Sequence, residues 1–142
     1  MKIQQLSVFS ENKPGHMIAP CRLLAEAGID LRALSLADTQ RFGILRLIVS
    51  DWRKAKGLLE ASGAVVKVTE VLAVEVPDHP GGLADVLALF AGTTINIEYM
   101  YAFPFRRGER AVLVFRFDQP DAAISLLQSA GINVLDGGSL DV

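Results

Sequence analysis

The chain has 142 residues, of which 51% are hydrophobic and 21% are charged, and its formal net charge is −2. This length suits one compact domain or two small ones, and an acidic chain with scattered basic residues is not typical of a nucleic-acid-binding or membrane-binding surface. The single cysteine, Cys21, excludes an internal disulfide and a multi-cysteine metal site. The opening residues follow a strand pattern rather than a signal peptide, and no apolar run reaches membrane-spanning length, so we expect a cytoplasmic protein.

The first half of the chain predicts strands and helices in the order β-α-β-β-α-β. Alternating or continuous apolar residues predict strands at 3–9, 31–36, 44–49 and 65–71. Apolar residues at helical spacing predict one helix at 15–27, which Gly28 ends. A second helix is predicted between Asp51, its N-cap, and Gly63, its C-terminal stop.

The same pattern restarts at Leu72 without a linker. The second half predicts a strand at 72–76, a loop at 78–82, a helix at 83–91, a strand at 95–101, a turn at 106–109, a strand at 112–117, a helix from Asp118 and Pro120 to Gly131, and a closing strand at 132–135. The element order is again β-α-β-β-α-β, so the chain repeats one unit.

The register of the repeat is constant. Pro14 and Gly15 recur 66 positions later as Pro80 and Gly81, and Leu58 recurs 68 positions later as Leu126. The two extra residues of the second copy are expected in the hairpin at 105–110. We therefore predict two tandem ferredoxin-like α+β modules, at 1–70 and 71–142, each with an antiparallel sheet and helices on one face.

Residues 10–17, the first loop, join the first strand to the first helix. Pro14 fixes φ and Gly15 permits a sharp turn. The amides that follow at 15–17 open a helix and lack intrahelical partners, so they suit a carboxylate or another anion. Asn12 adds a side-chain donor and acceptor. Residues 78–83, the second loop, repeat this pattern.

Each copy carries one carboxylate and one amide at matching positions, Asn12 with Asp30 and Asp78 with Asn96. A carboxylate suits an ammonium group and the loop amides suit a carboxylate, which together fit the zwitterion of a free amino acid. The predicted site residues are Ser10, Asn12, Lys13, Pro14, Gly15, His16, Met17, Asp30, Leu31, Asp78, His79, Pro80, Gly81, Gly82, Leu83, Asn96 and Ile97. The alternative is that the four polar residues only cap loops and turns.

The motifs Ser10-Glu11-Asn12-Lys13-Pro14-Gly15 and Gly28-Ile29-Asp30-Leu31 resemble the ACT domain, a regulatory module that binds amino acids in many biosynthetic enzymes. The first copy is similar to the serine-sensing domain of 3-phosphoglycerate dehydrogenase, which reads His-Glu-Asn-Arg-Pro-Gly and then Gly-Val-Asn-Ile. The resemblance implies ligand contacts at Asn12, at Asp30 where the family has Asn, and at Ser10 where it has His. It also implies that modules pair, with ligands between them.

These patterns predict a non-catalytic, allosteric sensor of a free amino acid, without a cofactor or metal. The alternative is a regulatory subunit that contacts a biosynthetic enzyme and has no ligand of its own. An acylphosphatase-like enzyme needs an Arg-bearing phosphate loop, whereas these loops offer Lys13 and His79. An RNA-binding sheet needs more than Tyr99 and Tyr101 as stacking residues.

We also expect a homodimer, because ACT modules commonly pair. The strand that carries Tyr99 and Tyr101 is a candidate for extending a sheet across subunits. A chain whose two copies satisfy each other would instead be a monomer.

Overall fold

The computed structural model describes residues 1–142. Its strands are β1 (Lys2–Glu11), β2 (Leu31–Asp38), β3 (Phe42–Val49), β4 (Val65–Pro77), β5 (Ile97–Arg107), β6 (Arg110–Phe117) and β7 (Val134–Leu135). Its helices are α1 (Ile18–Glu26), α2 (Trp52–Ala61), α3 (Gly82–Ala88) and α4 (Pro120–Ser129), followed by a 3₁₀ turn at Gly138–Leu140. The strands predicted at 65–71 and 72–76 are one continuous strand, β4, which corrects the sequence-based division.

The chain divides into two compact units. One contains Gln4–Thr69 together with Asp141–Val142, and the other contains Glu70–Leu140 together with Met1–Ile3. We call these units the first module and the second module. The division falls inside β4, so this strand ends the first module and begins the second.

Each module has the strand order that the β-α-β-β-α-β pattern predicts. The order is β2-β3-β1-β4 in the first module and β5-β6-β4-β7 in the second. The pairs β1–β3 and β2–β3 are antiparallel, as are β4–β6, β4–β7 and β5–β6. The predicted α+β fold of two ferredoxin-like modules is therefore confirmed.

Each module buries its own core between its sheet and its helices. In the first module, Leu6 of β1 and Leu47 of β3 pack with Leu59 of α2. In the second module, the matching residues are Leu72, Phe115 and Leu127, which are also buried together. Apolar residues alternate along these strands and recur at helical spacing on the helices, so one face of each element is buried.

The helix ends show which capping predictions hold. Asp51 caps α2, since its Oδ1 accepts a hydrogen bond from the Lys54 amide at 3.2 Å. Pro120 is the first residue of α4, while the carboxylate of Asp118 accepts instead from the amide of Asn96 at 2.8 Å. Helix α3 ends at Ala88, earlier than predicted.

None of these helices combines the length and the apolar composition that a bilayer span requires.

The two extra residues of the second module lie inside strand β5, not in the hairpin turn, which corrects the sequence-based placement. The β2–β3 register is constant from Ala33 to Asp38, whereas the β5–β6 register shifts by two residues between Ala102 and Arg106. Residues 103–105 therefore form a bulge. Pro104 lies within it, where a residue that lacks an N–H is tolerated.

Candidate ligand-binding site

The first loop lies beside the hairpin that joins β2 to β3. The Asn12 amide donates a hydrogen bond to the carbonyl oxygen of Arg41 at 2.9 Å. Gly15 has φ +80°, so the glycine serves the sharp turn that was predicted. The His16 amide donates to the carbonyl of Lys13 at 3.2 Å, which corrects the expectation that this amide is unpaired. The amides of Gly15 and Met17 have no backbone acceptor and remain suited to an anion.

The side chain of His16 is held in the first loop by two neighbours. Its Nδ1 lies 2.7 Å from Oγ of Ser10. A Cβ built on Gly43, which pairs with Ser10 across β1 and β3, would lie only 2.7 Å from Cε1 of His16. Gly43 therefore leaves the space that the imidazole occupies. Sequence reasoning missed this residue, although a glycine inside a strand pattern is a recognised signal of close approach.

A groove with a volume of about 860 Å³ runs from the first loop along α1. It is lined by Val8, Phe9, Ser10, Gly15, His16, Ile18, Ala19, Pro20, Arg22, Leu23, Glu26, Ser62, Gly63 and Ala64. Three predicted site residues, Ser10, Gly15 and His16, therefore line one cavity. Its charged lining residues are Arg22 and Glu26, and most of the others are apolar. The cavity suits a small molecule with a polar end and an apolar body.

The other predicted residues of the first loop surround this groove without lining it. Asn12, Pro14 and Lys13 are exposed, and Nζ of Lys13 lies 3.5 Å from a carboxylate oxygen of Glu11. Met17 is the N-cap residue of α1, and its side chain packs against the core of the first module.

Asp30 lies at the opposite end of the first module from the first loop. Strand β2 separates them, and its eight residues extend about 25 Å at the usual strand rise. The Asp30 amide donates to Oγ of Ser50, and the Ser50 amide donates to the Asp30 carbonyl, both at 3.0 Å. A single amino acid is too short to contact the first loop and Asp30 of the same module. It can contact both only if that Asp30 comes from a second copy of the first module.

The carboxylate of Asp30 already has a cationic partner. Its Oδ2 lies 2.6 Å from Nη1 of Arg32, and the carboxylate is largely exposed to solvent. Leu31, the next predicted residue, packs against the core of the first module. Asp30 is thus the only one of this pair with a side chain available to a polar ligand.

The second loop is closed more tightly than the first. Gly81 has φ +87°, and the Gly82 amide donates to the His79 carbonyl at 3.0 Å, which corrects the expectation that it is unpaired. A Cβ built on Gly82 would lie 1.9 Å from the carbonyl oxygen of Pro77. Asp78 is paired with Arg106, at 2.9 Å between Oδ2 and Nε. The remaining predicted residues are Pro80, whose carbonyl oxygen lies 3.0 Å from Nδ1 of His79, and Leu83, which packs on the second core.

Asn96 repeats the backbone arrangement of Asp30. Its amide donates to Oδ1 of Asp118 at 2.8 Å, and the Asp118 amide donates to the Asn96 carbonyl at 3.1 Å. Ile97 packs against the second core, as Leu31 does against the first. In both modules these contacts fix the start of the second strand, and the ligand-binding role of the side chains stays a prediction.

Comparison with known protein families shows which family this chain belongs to. The family model of the ACT domain pair matches residues 1–138. The chain belongs to the ACT domain pair family. No curated protein sequence matches it.

Solved structures agree with this assignment to the ACT domain pair family. Protein BT0572 from Bacteroides thetaiotaomicron is 37% identical over 99% of this chain and 96% of that chain, with a TM-score of 0.91. The ligand-free regulatory subunit of aspartate kinase from Thermus thermophilus is 18% identical over 89% of this chain and 91% of that chain, with a TM-score of 0.65. The regulatory subunit from Thermus flavus gives 20% identity over the same shares and a TM-score of 0.61. At these last two identities the likeness concerns the fold.

Three residues of this ACT domain pair with reactive or aromatic side chains, Cys21, Tyr99 and Tyr101, pack against other residues of the protein. Cys21 is partly buried on α1 and packs against the core of the first module. Tyr99 and Tyr101 are half-buried and stack with their ring centroids 6.5 Å apart. The structure contains no group of three or more His, Cys, Asp and Glu side chains that are arranged to hold a metal ion.

Proposed function

We propose that this ACT domain pair is a non-catalytic, cytoplasmic regulatory protein that binds a free amino acid at the first loop. The observation that carries the proposal is the groove of about 860 Å³ that opens at Ser10, Gly15 and His16. Membership of the ACT domain pair family supports it, as does the fold shared with regulatory subunits of aspartate kinase.

The ends of an amino acid fit different parts of the site. Its carboxylate accepts from the free amides of Gly15 and Met17, close to the imidazole of His16. Its side chain enters the apolar part of the groove along α1. Its ammonium group meets Asp30 of another module, because Asp30 of the same module lies at the far end of β2.

The ion pair of Asp30 with Arg32 sets the strength of the ammonium contact. The ammonium takes the place of Arg32, so the carboxylate has one cationic partner before and after binding. Asp30 is also well exposed, which screens the interaction. We therefore expect Asp30→Ala to weaken amino-acid binding by about 1 kcal/mol, which is about fivefold.

The first experiment is a thermal-shift screen of the twenty standard amino acids, each tested singly. An amino acid at about 100 times its Kd stabilises the folded protein by about 2.7 kcal/mol, which gives a clear shift. For an amino acid that shifts the melting temperature, calorimetry should then measure a stoichiometry of one molecule per chain, since each chain has one first loop. A screen without any shift would contradict the proposal.

Variants of the two loops then locate the site. Gly15→Val should abolish binding, because the side chain fills the turn where the ligand carboxylate approaches the backbone. Gly81→Val is the matched control, since both glycines have positive φ and the strain is alike. Unchanged affinity in Gly15→Val and Asp30→Ala, with both proteins folded, would mean that these residues are only parts of turns.

A second candidate function is that of a regulatory subunit that contacts a biosynthetic enzyme and needs no ligand. The exposed side chains of Leu34, Leu36 and Phe42 favour it, because each is half exposed although apolar. This function predicts no thermal shift with any amino acid. Turnover of an acyl phosphate that is lost when one loop residue is changed would contradict both candidates.

A further inference from the structure

Gly43 is a buried residue inside strand β3, where a glycine is unfavourable. A glycine within a strand contributes no side chain to packing, and it often marks a place where another group approaches closely. Here that group is the ring of His16, because a Cβ at position 43 would lie 2.7 Å from its Cε1 and 3.4 Å from its Nδ1. Strand β3 therefore lacks a side chain where the imidazole lies against it.

The second module shows that the fold does not itself require a glycine at this strand position. Ala111 of β6 matches Gly43, since each pairs with the corresponding residue of the strand that precedes the loop. The loop residue that matches His16 is Gly82, which has no ring to accommodate. The strand position thus lacks a Cβ only in the module whose loop carries the imidazole. We conclude that Gly43 serves His16 rather than the strand.

The surroundings of His16 fix the orientation of its ring. Oγ of Ser10 lies 2.7 Å from Nδ1, and the half-buried ring packs over Gly43. Nε2 has no partner within the chain, and His16 lines the groove. A side chain that is already held on two sides loses little rotamer freedom when it binds a ligand.

The charged side chains around His16 are balanced in number. Each neighbouring element carries one acid and one base, namely Glu11 and Lys13 at the first loop, Arg22 and Glu26 on α1, and Asp38 and Arg41 at the β2–β3 hairpin. Asp38 pairs with Gly43 across the strands, but its Oδ1 accepts from the Gln40 amide at 2.7 Å. Arg46 of β3 lies on the opposite face of the sheet, because it is three residues from Gly43. No carboxylate of the chain lies within ion-pair distance of His16.

We propose that the imidazole of His16 binds the carboxylate of the ligand through Nε2, and that Gly43 is the residue that positions it. This inference rests on the proposed function, because it takes the groove as the ligand site. A protonated imidazole donates from both nitrogens, so Nδ1 can donate to Ser10 while Nε2 donates to the carboxylate. A hydrogen bond between charged groups is stronger than a neutral one. Protonation of His16 and binding of a carboxylate therefore favour each other.

Calorimetry with isocaproate tests the role of His16. Isocaproate is leucine without its ammonium group, so no contact with Asp30 enters the measurement. Near pH 6, where histidine side chains are largely protonated, the unmodified chain should bind it, and His16→Ala should weaken binding about tenfold. An unmodified chain that binds no isocaproate, or a His16→Ala variant that binds it equally well, would overturn the proposal.

Variants of the neighbouring residues test the positioning. Gly43→Ala should weaken isocaproate binding about as much as His16→Ala, because the added Cβ displaces the ring from Ser10. Ser10→Ala removes the other contact without adding atoms, and it should weaken binding about threefold. Ala111→Gly, the reverse change at the matching position of the second module, is the control and should leave the affinity unchanged. Full affinity in both Gly43→Ala and Ser10→Ala would show that the ring needs no positioning.

A double variant shows whether Gly43 acts through His16. Gly43→Ala combined with His16→Ala should bind isocaproate no more weakly than His16→Ala alone, because the side chain that Gly43 accommodates is already absent. Losses that multiply, to about 100-fold, would mean that Gly43 acts independently and would contradict its positioning role. Thermal melts of each variant confirm that it is folded.

The pH profile is a readout that a purely structural role would not change. For the unmodified chain, the affinity for isocaproate should fall about fivefold between about pH 6 and about pH 8, as the imidazole loses its charge. His16→Gln keeps a hydrogen-bond donor that does not titrate, so its affinity should stay constant over this range. A fall of the same size in His16→Gln would assign the pH dependence to another group and overturn the proposal.

The outcomes for this inference and for the proposed function are separable. If isocaproate binds in the stated way but no standard amino acid binds, the proposed function fails and the carboxylate-binding role of His16 stands. If an amino acid binds the unmodified chain, His16→Ala and Gly43→Ala equally well, this inference fails and the proposed function stands.

Discussion

The loops of the two modules make the same backbone hydrogen bond to the neighbouring hairpin. The Asn12 amide donates to the Arg41 carbonyl at 2.9 Å in the first module, and the matching Asp78 amide donates to the Glu109 carbonyl at 3.1 Å in the second. The C-terminal ends of α2 and α4 match as well. The Ala64 amide donates to the Leu59 carbonyl at 3.1 Å, and the Ile132 amide donates to the Leu127 carbonyl at 2.9 Å. The modules thus share a backbone scaffold. Their differences lie in the side chains of the loops and of the edge strands.

The loops show what such a difference does. His16 of the first loop matches Gly82 of the second, and Ser10 matches Val76. In the first module this gives a Ser–His hydrogen bond beside a groove. In the second module the glycine lets the loop close against the carbonyl of Pro77. The first loop therefore borders a groove, whereas the second loop packs against its own backbone.

The largest expected effect concerns the cores. Phe117 is buried, and its ring centroid lies 4.9 Å from that of Phe90 and 5.5 Å from that of Phe115. Phe117→Ala should lower the free energy of unfolding by about 4 kcal/mol, because it removes a ring and leaves a cavity. Val49→Ala, at the matching position, should cost about 2 kcal/mol, since fewer atoms are lost. Urea denaturation measures both, and equal losses would contradict this ranking.

The next effect concerns the loops. Gly82→Ala should destabilise the protein by about 3 kcal/mol, because the added Cβ overlaps a backbone oxygen that cannot rotate away. His16→Ala, at the matching position, should cost about 1 kcal/mol or less, since it removes a hydrogen bond with Ser10 and the packing on Gly43 at a half-buried position. Denaturation midpoints compare the two variants. An unchanged denaturation midpoint for Gly82→Ala would show that the second loop can accommodate a Cβ at this position, which would contradict the prediction.

A smaller effect is expected at the helix starts. Asp51 caps α2 through its side chain, whereas the matching Gln119 of α4 makes no such cap. Asp51→Ala should therefore cost about 1 kcal/mol. Gln119→Ala should cost about half as much, because it loses only exposed hydrogen bonds from its side-chain amide to the carbonyl and the hydroxyl of Thr94. Thermal melts of both variants test this order, which a larger loss at Gln119 would reverse.

The smallest effect is a pH dependence that belongs to the second module. The Ser139 amide, and then its hydroxyl, donate to Asp136 and hold the pKa of that carboxyl below its ordinary value of 3.8. A carboxyl with a lowered pKa stabilises the fold above its unfolded pKa and ceases to do so as the pH falls through its folded pKa.

Asp136→Asn should therefore have a slightly lower Tm than the original chain near neutral pH. The difference should shrink as the pH falls below 3.8 and through the lowered pKa of the folded state, because the original carboxyl then becomes protonated too. Melting curves across that range measure it. A difference that persists unchanged in acid would mean that the charge of Asp136 is not the cause.

The sequence by itself determined the modules and most of their cores. Alternating residues such as Leu6 and Leu72, and helical positions such as Leu59 and Leu127, are buried where the pattern predicts. Gly15 and Gly81 both have the positive φ that their loop motif predicts. These features follow from period and from backbone preference, which are properties of short stretches of chain.

The tertiary structure alone decided the features that depend on contacts between distant residues. The bulge at 103–105 is visible only in the register with β6, and the space for His16 exists because Gly43 lies across the sheet from Ser10. The placement of Asp30 at the far end of β2 from the first loop also required the folded sheet, since matching positions in a repeat say which residues are equivalent and not which are close. Local patterns fix the elements, while strand register and through-space packing fix which side chains meet.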